Sequence, residues 1–281
     1  MTTPNSVPGY RQVPWPPIRD LVVDFVAAGR AVPSVYGFIE IDVTDVKLKL
    51  ATLAQRDRRI SFTAYLTFCL GRALEKHPMI HGLRQGKHIV CFDDVDVNTL
   101  LEKQKPDGSL IPVMYIVRSA NRKSLTDINR ELRAAVQRDL LDDPGVKRRA
   151  RLLSFPAWVR RGLLAWARRN PFSMKRHWGT VGLSNLGSAV SSRFAVGTSF
   201  TIVTLSVIAG SIYTKVMWID EKATPRQVLG VTLLFDHNLL DGGPAARFTE
   251  EFARTLELAT GLDELLGDEP ASETDATGAP P

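Results

Sequence analysis

Residues 235–248 read FDHNLLDGGPAARF. An apolar run, VLGVTLLF, leads into them, and an amphipathic helical pattern follows. The stretch therefore joins a strand to a helix, with Asp241-Gly242-Gly243 supplying the turn and Pro244 near the helix start. As a connection alone it needs only the turn, and His237 is then a semi-buried polar residue at a strand end. A second reading is chemical. The gap between a strand end and a helix N-terminus is a common place to hold ligands and anions. A neutral imidazole there can take a proton from a thiol or hydroxyl. Asp241, four residues on, can fix the loop by an ion pair or backbone hydrogen bonds. Local physics leaves both readings open.

The rest of the chain frames that junction. The helix after it is expected over 244–260, with Ala245, Phe248, Phe252, Leu256 and Ala259 in one stripe and Gly261 at its end. Before it, SFTIVTLSVIAGSIY (199–213) reads as buried strand and DEKATPRQ as a turn. Upstream, IRDLVVDFVAAG (18–29) reads as a helix and SVYGFIEIDVT (34–44) alternates as a strand. Ser61 and Ser124 stand as N-caps before two further apolar-faced helices. KHIVCFDDVDVNTLL and LIPVMYIV supply more strands. The sum is an α/β protein: a two-layer sandwich of a mixed β-sheet with helices on one face.

Composition narrows the class. Of 281 residues, 44% are hydrophobic and 23% charged, ordinary values for a globular protein. The start, MTTPNSVPGYRQVPWPP, lacks the pattern of a signal peptide, and no run approaches the ~18 apolar residues of a membrane span. Cys69 and Cys91 are the only cysteines, so neither a disulfide framework nor a metal site is expected, and a cytoplasmic setting is. The net charge of +6 is unevenly placed: no acidic residue occurs from Pro144 to Ile219. That asymmetry points to an anionic contact, whether a phosphate-bearing ligand, a membrane surface or nucleic acid. Three parts are expected: an extended segment (1–17), a folded domain (18–265) and a disordered acidic tail (266–281).

FDHNLLDGGPAARF resembles the signature of the catalytic domain of dihydrolipoamide acyltransferases, the core subunits of 2-oxoacid dehydrogenase complexes. Chloramphenicol acetyltransferase shares that signature in weaker form. Four other stretches are similar to the family in the same order: GRAVPSVYGFIEIDVTDV, SFTAYLTFCLGRALEKHPMIHG, KPDGSLIPVMYIVRSANRKSLTDINRELRAAV and GTVGLSNLG. The resemblance implies a chloramphenicol acetyltransferase-like, trimer-forming sandwich and makes the folded domain (18–265) an acyltransferase catalytic domain. It places His237 as the general base and Ser184, in GLSNLG, as the hydroxyl that stabilises the oxyanion. Asp241 matches the carboxylate that secures the histidine loop, with Gly242 beside it, and Arg30, in GRAVPSV, sits where a pairing arginine is expected. Active sites between subunits are implied, with His237 and Ser184 from neighbouring chains. Coenzyme A or acyl-coenzyme A is then a substrate, with no metal, and a homotrimer the working unit. His77, His81, His88 and His177 read as loop or helix-end residues.

The chain also departs from the family pattern. Asn238 stands where the family has Arg, and no lipoyl domain precedes the catalytic part, so a lipoyl group is expected in trans from a carrier protein or dehydrogenase-complex subunit. AVGTSFT replaces the usual Asn-Pro-Pro that shapes the substrate pocket. The largest departure is a basic amphipathic insertion at 142–178, in which Leu152, Leu153, Phe155, Trp158, Val159, Leu163 and Trp166 recur at roughly helical spacing. It suits packing on its own trimer, peripheral membrane contact through 152–166, or a protein partner. Its aromatics sit among aliphatics and not among the charges, which argues against nucleic acid. Three functions follow: a coenzyme A-dependent acyltransferase, a non-catalytic scaffold or regulatory trimer that keeps the fold, and an acyltransferase on membrane-bound acceptors.

Overall fold

The computed structural model describes residues 9–104, 108, 110–138, 147, 151–187 and 193–267. The expectations for residues 1–8, for most of 139–150 and for the tail from 268 lie outside those residues. Strands β7 (Leu205–Ile219) and β8 (Lys222–Asp236) form a hairpin that is the spine of the sheet. Asp220 and Glu221 both adopt positive φ (48° and 61°), the backbone of a tight two-residue hairpin turn. The turn is thus far shorter than 220–227, and the strand starts at Leu205 instead of 199. Pro225 is tolerated within β8 because β1 (Ser34–Asp42) pairs only with Val228 to Asp236, which leaves Pro225 on an open edge. At the other end, Thr201 bonds to the Val203 backbone and to Ser206, so residues 199–204 pack as a loop.

Among the described residues the main sheet has the order β1-β8-β7-β6-β4-β5, completed by β6 (Val181–Asn185), β4 (Val97–Gln104) and β5 (Leu110–Val117). Strand β6 runs parallel to both neighbours and the other pairings are antiparallel, so the sheet is mixed. Alternation puts Leu229, Val231, Leu233 and Phe235 on one face with Leu205, Val207, Val181, Leu183 and Ile41. Four helices cover that face: α2 (Thr44–Gln55), α3 (Phe62–Glu75), α4 (Leu125–Gln137) and α7 (Gly242–Glu257). Ser61 caps α3 by accepting from the Ala64 N–H, and Ser124 caps α4 through the Asp127 N–H. A final short helix, α8 (Leu262–Gly267), takes in two residues expected to begin the tail.

The opposite face is crossed by residues 193–197. Ser211 donates its N–H to the Ala195 carbonyl (2.9 Å) and accepts from the Ala195 N–H (2.8 Å), at the bulge between Ala209 and Ile212. Gly210 permits the approach, since a Cβ there would lie 2.1 Å from the Ala195 oxygen.

The insertion folds against the start of the chain. Helix α1 (Arg19–Gly29) meets α5 (Ala157–Arg168) and α6 (Pro171–Trp178) beside a small hairpin of β2 (Leu83–Gln85) and β3 (His88–Val90). Pro156 stands at the N-cap of α5, so the helix begins there and not at Leu152. The arginines of α5 point inward. Arg160 and Arg161 donate through Nε to the two oxygens of Asp24 (2.6 and 2.9 Å), a carboxylate only 4% exposed, and Arg168 donates to the Ala28 carbonyl (2.9 Å). Arg118 fastens α6 by donating to the carbonyls of Lys175 and Arg176 at the helix C-terminus while pairing with buried Asp96.

His81 lies beside this network, buried at 1% exposure, and its Nδ1 has no hydrogen-bond partner among the described residues. Loss of solvent, reinforced by the Lys175 charge and opposed by Asp96, lowers its pKa from 6.5 to about 4. The folded protein therefore keeps His81 neutral at pH values where the unfolded chain protonates it. Stability on this account is level above pH 6.5 and falls as the pH drops towards 4, by on the order of 3 kcal/mol in full. Urea denaturation of wild type and His81→Leu across that range checks it: the wild type should show the steeper loss. Equal slopes would assign the acid sensitivity to other groups.

Candidate active site

The sheet and α7 bring the FDHNLLDGG stretch to one end of the spine. Asp236 donates its N–H to the Thr204 carbonyl (2.9 Å), and His237 donates its own to the Pro33 carbonyl (2.8 Å). The Asp236 carboxylate then accepts from both the backbone N–H and the side-chain amide of Asn238, each at 2.9 Å. Its carbonyl accepts from Leu239 and Leu240, and buried Leu240 anchors the turn in the core. The main chain of His237 is pinned on both sides, whereas its imidazole is exposed and has no side-chain partner among the described residues. That arrangement gives a positioned base facing outward.

The other residues expected at the site are placed differently. Asp241 occupies the N-cap position of α7 in extended backbone conformation, yet its exposed side chain makes no capping bond. Within one chain it does not secure the histidine loop; Asp236 and Pro33 do, because their groups lie next to the turn's own N–H groups. Gly242 opens α7, and a side chain there would meet no atom within 4 Å, so the turn does not require a glycine at that position. Arg30 ends α1 three residues before Pro33, and its guanidinium lies over the Phe200 ring at 5.7 Å instead of pairing with a carboxylate. Arg168, held below its ordinary pKa by burial, feels the Asp236 charge, which ties α5 to the same end of the sheet.

Ser184 lies elsewhere. Its neighbours on β6, Leu183 and Val181, face the core, so Ser184 faces the side without the four long helices. It is level with Ile208 on β7 and, through it, with Thr232 on β8. Asp236 is four residues further along β8, so the serine is roughly 13 Å away along the strands and about 9–10 Å across them. Ser184 and His237 of one chain do not meet.

Asp236 and Pro33 were not singled out in the sequence. An Asp directly before a His-Asn turn is a known local signal, because Asp side chains bond backbone N–H groups two residues on. The Pro33 carbonyl carries no such signal, as it comes from a segment about 200 residues away in the chain.

Comparison with known proteins bears on the family and the fold. Residues 8–140 and 173–262 match the family described as 2-oxoacid dehydrogenases acyltransferase (catalytic domain), and the match is interrupted where α5 lies. A dihydrolipoyllysine-residue acetyltransferase component of pyruvate dehydrogenase complex from Buchnera aphidicola subsp. Baizongia pistaciae is 22% identical over 223 residues, 77% of this chain and 47% of its own. The Mycoplasma pneumoniae counterpart is 22% identical over 73% of this chain and 43% of its own. The chain thus spans less than half the length of these relatives. A crystal structure of a probable dihydrolipoamide acetyltransferase from Listeria monocytogenes superposes with a TM-score of 0.64 at 17% identity, covering 89% of this chain and 96% of that one. Dihydrolipoamide acetyltransferase from Azotobacter vinelandii gives 0.63 at 18% identity, with 93% and 99% covered. The fold is common to this chain and the two solved structures. With the family match extending over both the strand that carries Ser184 and the loop that carries His237, the chain belongs to the 2-oxoacid dehydrogenase acyltransferase family, in its catalytic domain.

Proposed function

We propose that the protein is a coenzyme A-dependent acyltransferase that moves an acyl group between a thioester and a thiol acceptor, with its sites between the subunits of a homotrimer. The observation that carries the reading is the exposed imidazole of His237 on a main chain fixed by Pro33 and Asp236. A pinned backbone with a free, outward base suits proton transfer to a ligand arriving from outside the chain. The distance between Ser184 and His237 supports the shared site, since one chain alone cannot bring both to a single substrate. Exposed apolar groups suit subunit contact as well: Tyr36 and Phe38 stack at 6.4 Å on edge strand β1, and Val216 and Trp218 stand exposed on the far half of the β7–β8 hairpin.

In this mechanism His237 takes the proton of the acceptor thiol as the sulfur attacks the thioester carbonyl. The Ser184 hydroxyl of the neighbouring chain donates to the oxyanion of the tetrahedral intermediate. Collapse re-forms the carbonyl and breaks the other C–S bond, and the departing thiolate takes the proton back from the imidazolium. Atoms and charge balance with no covalent enzyme intermediate. The Azotobacter vinelandii relative was studied for the roles of a serine, a histidine and an asparagine in its catalytic mechanism; the first two residue types are those proposed here, whereas Asp241 is a carboxylate and not an amide. Asp241, free in the single chain, is available to the neighbouring subunit or the ligand. A dihydrolipoyl group is the acceptor this chemistry favours.

Isothermal titration with coenzyme A and acetyl-coenzyme A tests the reading, and saturation near one site per chain is expected. A ligand at 100 times its dissociation constant should also raise stability by about 2.7 kcal/mol. No heat and no thermal shift with either ligand at millimolar concentration would favour the scaffold reading.

A further inference from the structure

Helix α5 is amphipathic in the reverse of the usual sense. Arginines 160, 161 and 168 face the protein and are fastened to Asp24 and the Ala28 carbonyl, while the tryptophans face out: Trp158 is 77% exposed and Trp166 65%. The two lie eight residues apart, hence about 12 Å along the helix and within about 80° of each other. Gly162, Ala165 and Arg169 lie on the same exposed side, and exposed Phe155 and Phe172 flank the two ends of the helix. Arg161 pairs with Asp24 through Nε, yet half of its side chain remains in solvent. No acidic residue occurs anywhere from Pro144 to Ile219.

Burial inside the subunit does not account for this face, because the inward side of α5 already makes its contacts. We infer that the outward face of α5 docks on an anionic membrane surface. Indole rings on an exposed helix favour the boundary between headgroups and acyl chains, and arginines among them meet lipid phosphates. Charge complementarity selects the occupant. A second copy of the same face would set Arg169 and the exposed part of Arg161 against their own copies, whereas an anionic lipid surface pairs with both. The opposite, inward side of α5 carries Arg168, which donates to the Ala28 carbonyl. The docking itself does not depend on the acyltransferase reading.

Co-sedimentation of the full chain with vesicles of phosphatidylcholine, with and without phosphatidylglycerol, tests the inference. The protein should pellet with the anionic vesicles and stay in solution with the neutral ones. Trp158→Ala combined with Trp166→Ala should lower the partition coefficient at least about tenfold. Arg169→Gln should lower it about fivefold, the factor expected for one cation at such a surface. Unchanged pelleting of the double tryptophan variant, equal binding to neutral vesicles, or no binding to either would each overturn it. Sedimentation velocity on the same variant separates the remaining case: if the oligomer dissociates, the face is a subunit or protein contact and the inference fails.

Discussion

His237→Ala is expected to lower kcat/KM for acyl transfer by about 10²–10⁴-fold, the range a positioned general base contributes. It should leave the fold alone. The imidazole is exposed and unpartnered, and the loop is held by the His237 main-chain N–H, Asp236 and Leu240, none of which the substitution touches. Thermal unfolding should therefore stay within ~0.5 kcal/mol of wild type, as for other surface changes. Steady-state kinetics with acetyl-coenzyme A and free dihydrolipoamide, beside a melting curve, reads both quantities. Activity equal to wild type would remove His237 from the chemistry. Equal losses of activity and stability would recast it as a structural residue.

Ser184→Ala should cost about 10²–10³-fold in kcat, the usual effect of losing one oxyanion donor. The informative experiment mixes the two variants. If each site takes its histidine from one chain and its serine from the next, random trimers of the two variants contain intact sites. Such a site needs a Ser184→Ala chain to supply the histidine and a His237→Ala chain to supply the serine, which occurs for about a quarter of sites in an equal mixture. Co-refolding two nearly inactive proteins should thus recover about a quarter of wild-type activity. A site confined to one chain predicts no recovery, since every chain then carries a defect. Mixed trimers are confirmed by mass, so failure to mix is distinguishable from failure to complement.

Much of the fold was legible because its signals are local. Ser61 and Ser124 cap where short-range hydrogen-bonding chemistry places them, and the alternation in VLGVTLLF follows from one face being buried. The β7–β8 turn was misplaced because Pro225 and a run of polar residues read as a break. Only the register with β1 shows that this part of β8 has a free edge. The histidine stood out in the sequence, but what holds it did not. Pro33 is remote in the chain, and Asp236 acts through an ordinary local turn. The roles expected of Asp241 and Arg30 came from the resemblance, and a single chain leaves both without the partner that was expected. For α5, composition gave the helix and its two faces, while their direction depended on Asp24, a charge on a different helix.

That clasp bears on how the segment entered the family. The burial of Asp24 comes with the arginines that cover it, so a chain without α5 would leave the carboxylate in water at little cost. Losing Arg160 while keeping the helix is different, because it leaves buried Asp24 with Arg161 alone and costs about 1.5–3 kcal/mol, the worth of one hydrogen bond to a charged group. Stepwise erosion is therefore penalised, whereas removal in one event is tolerated. Among descendants of this chain the segment should be inherited or deleted as a block, together with the freedom of position 24 to vary.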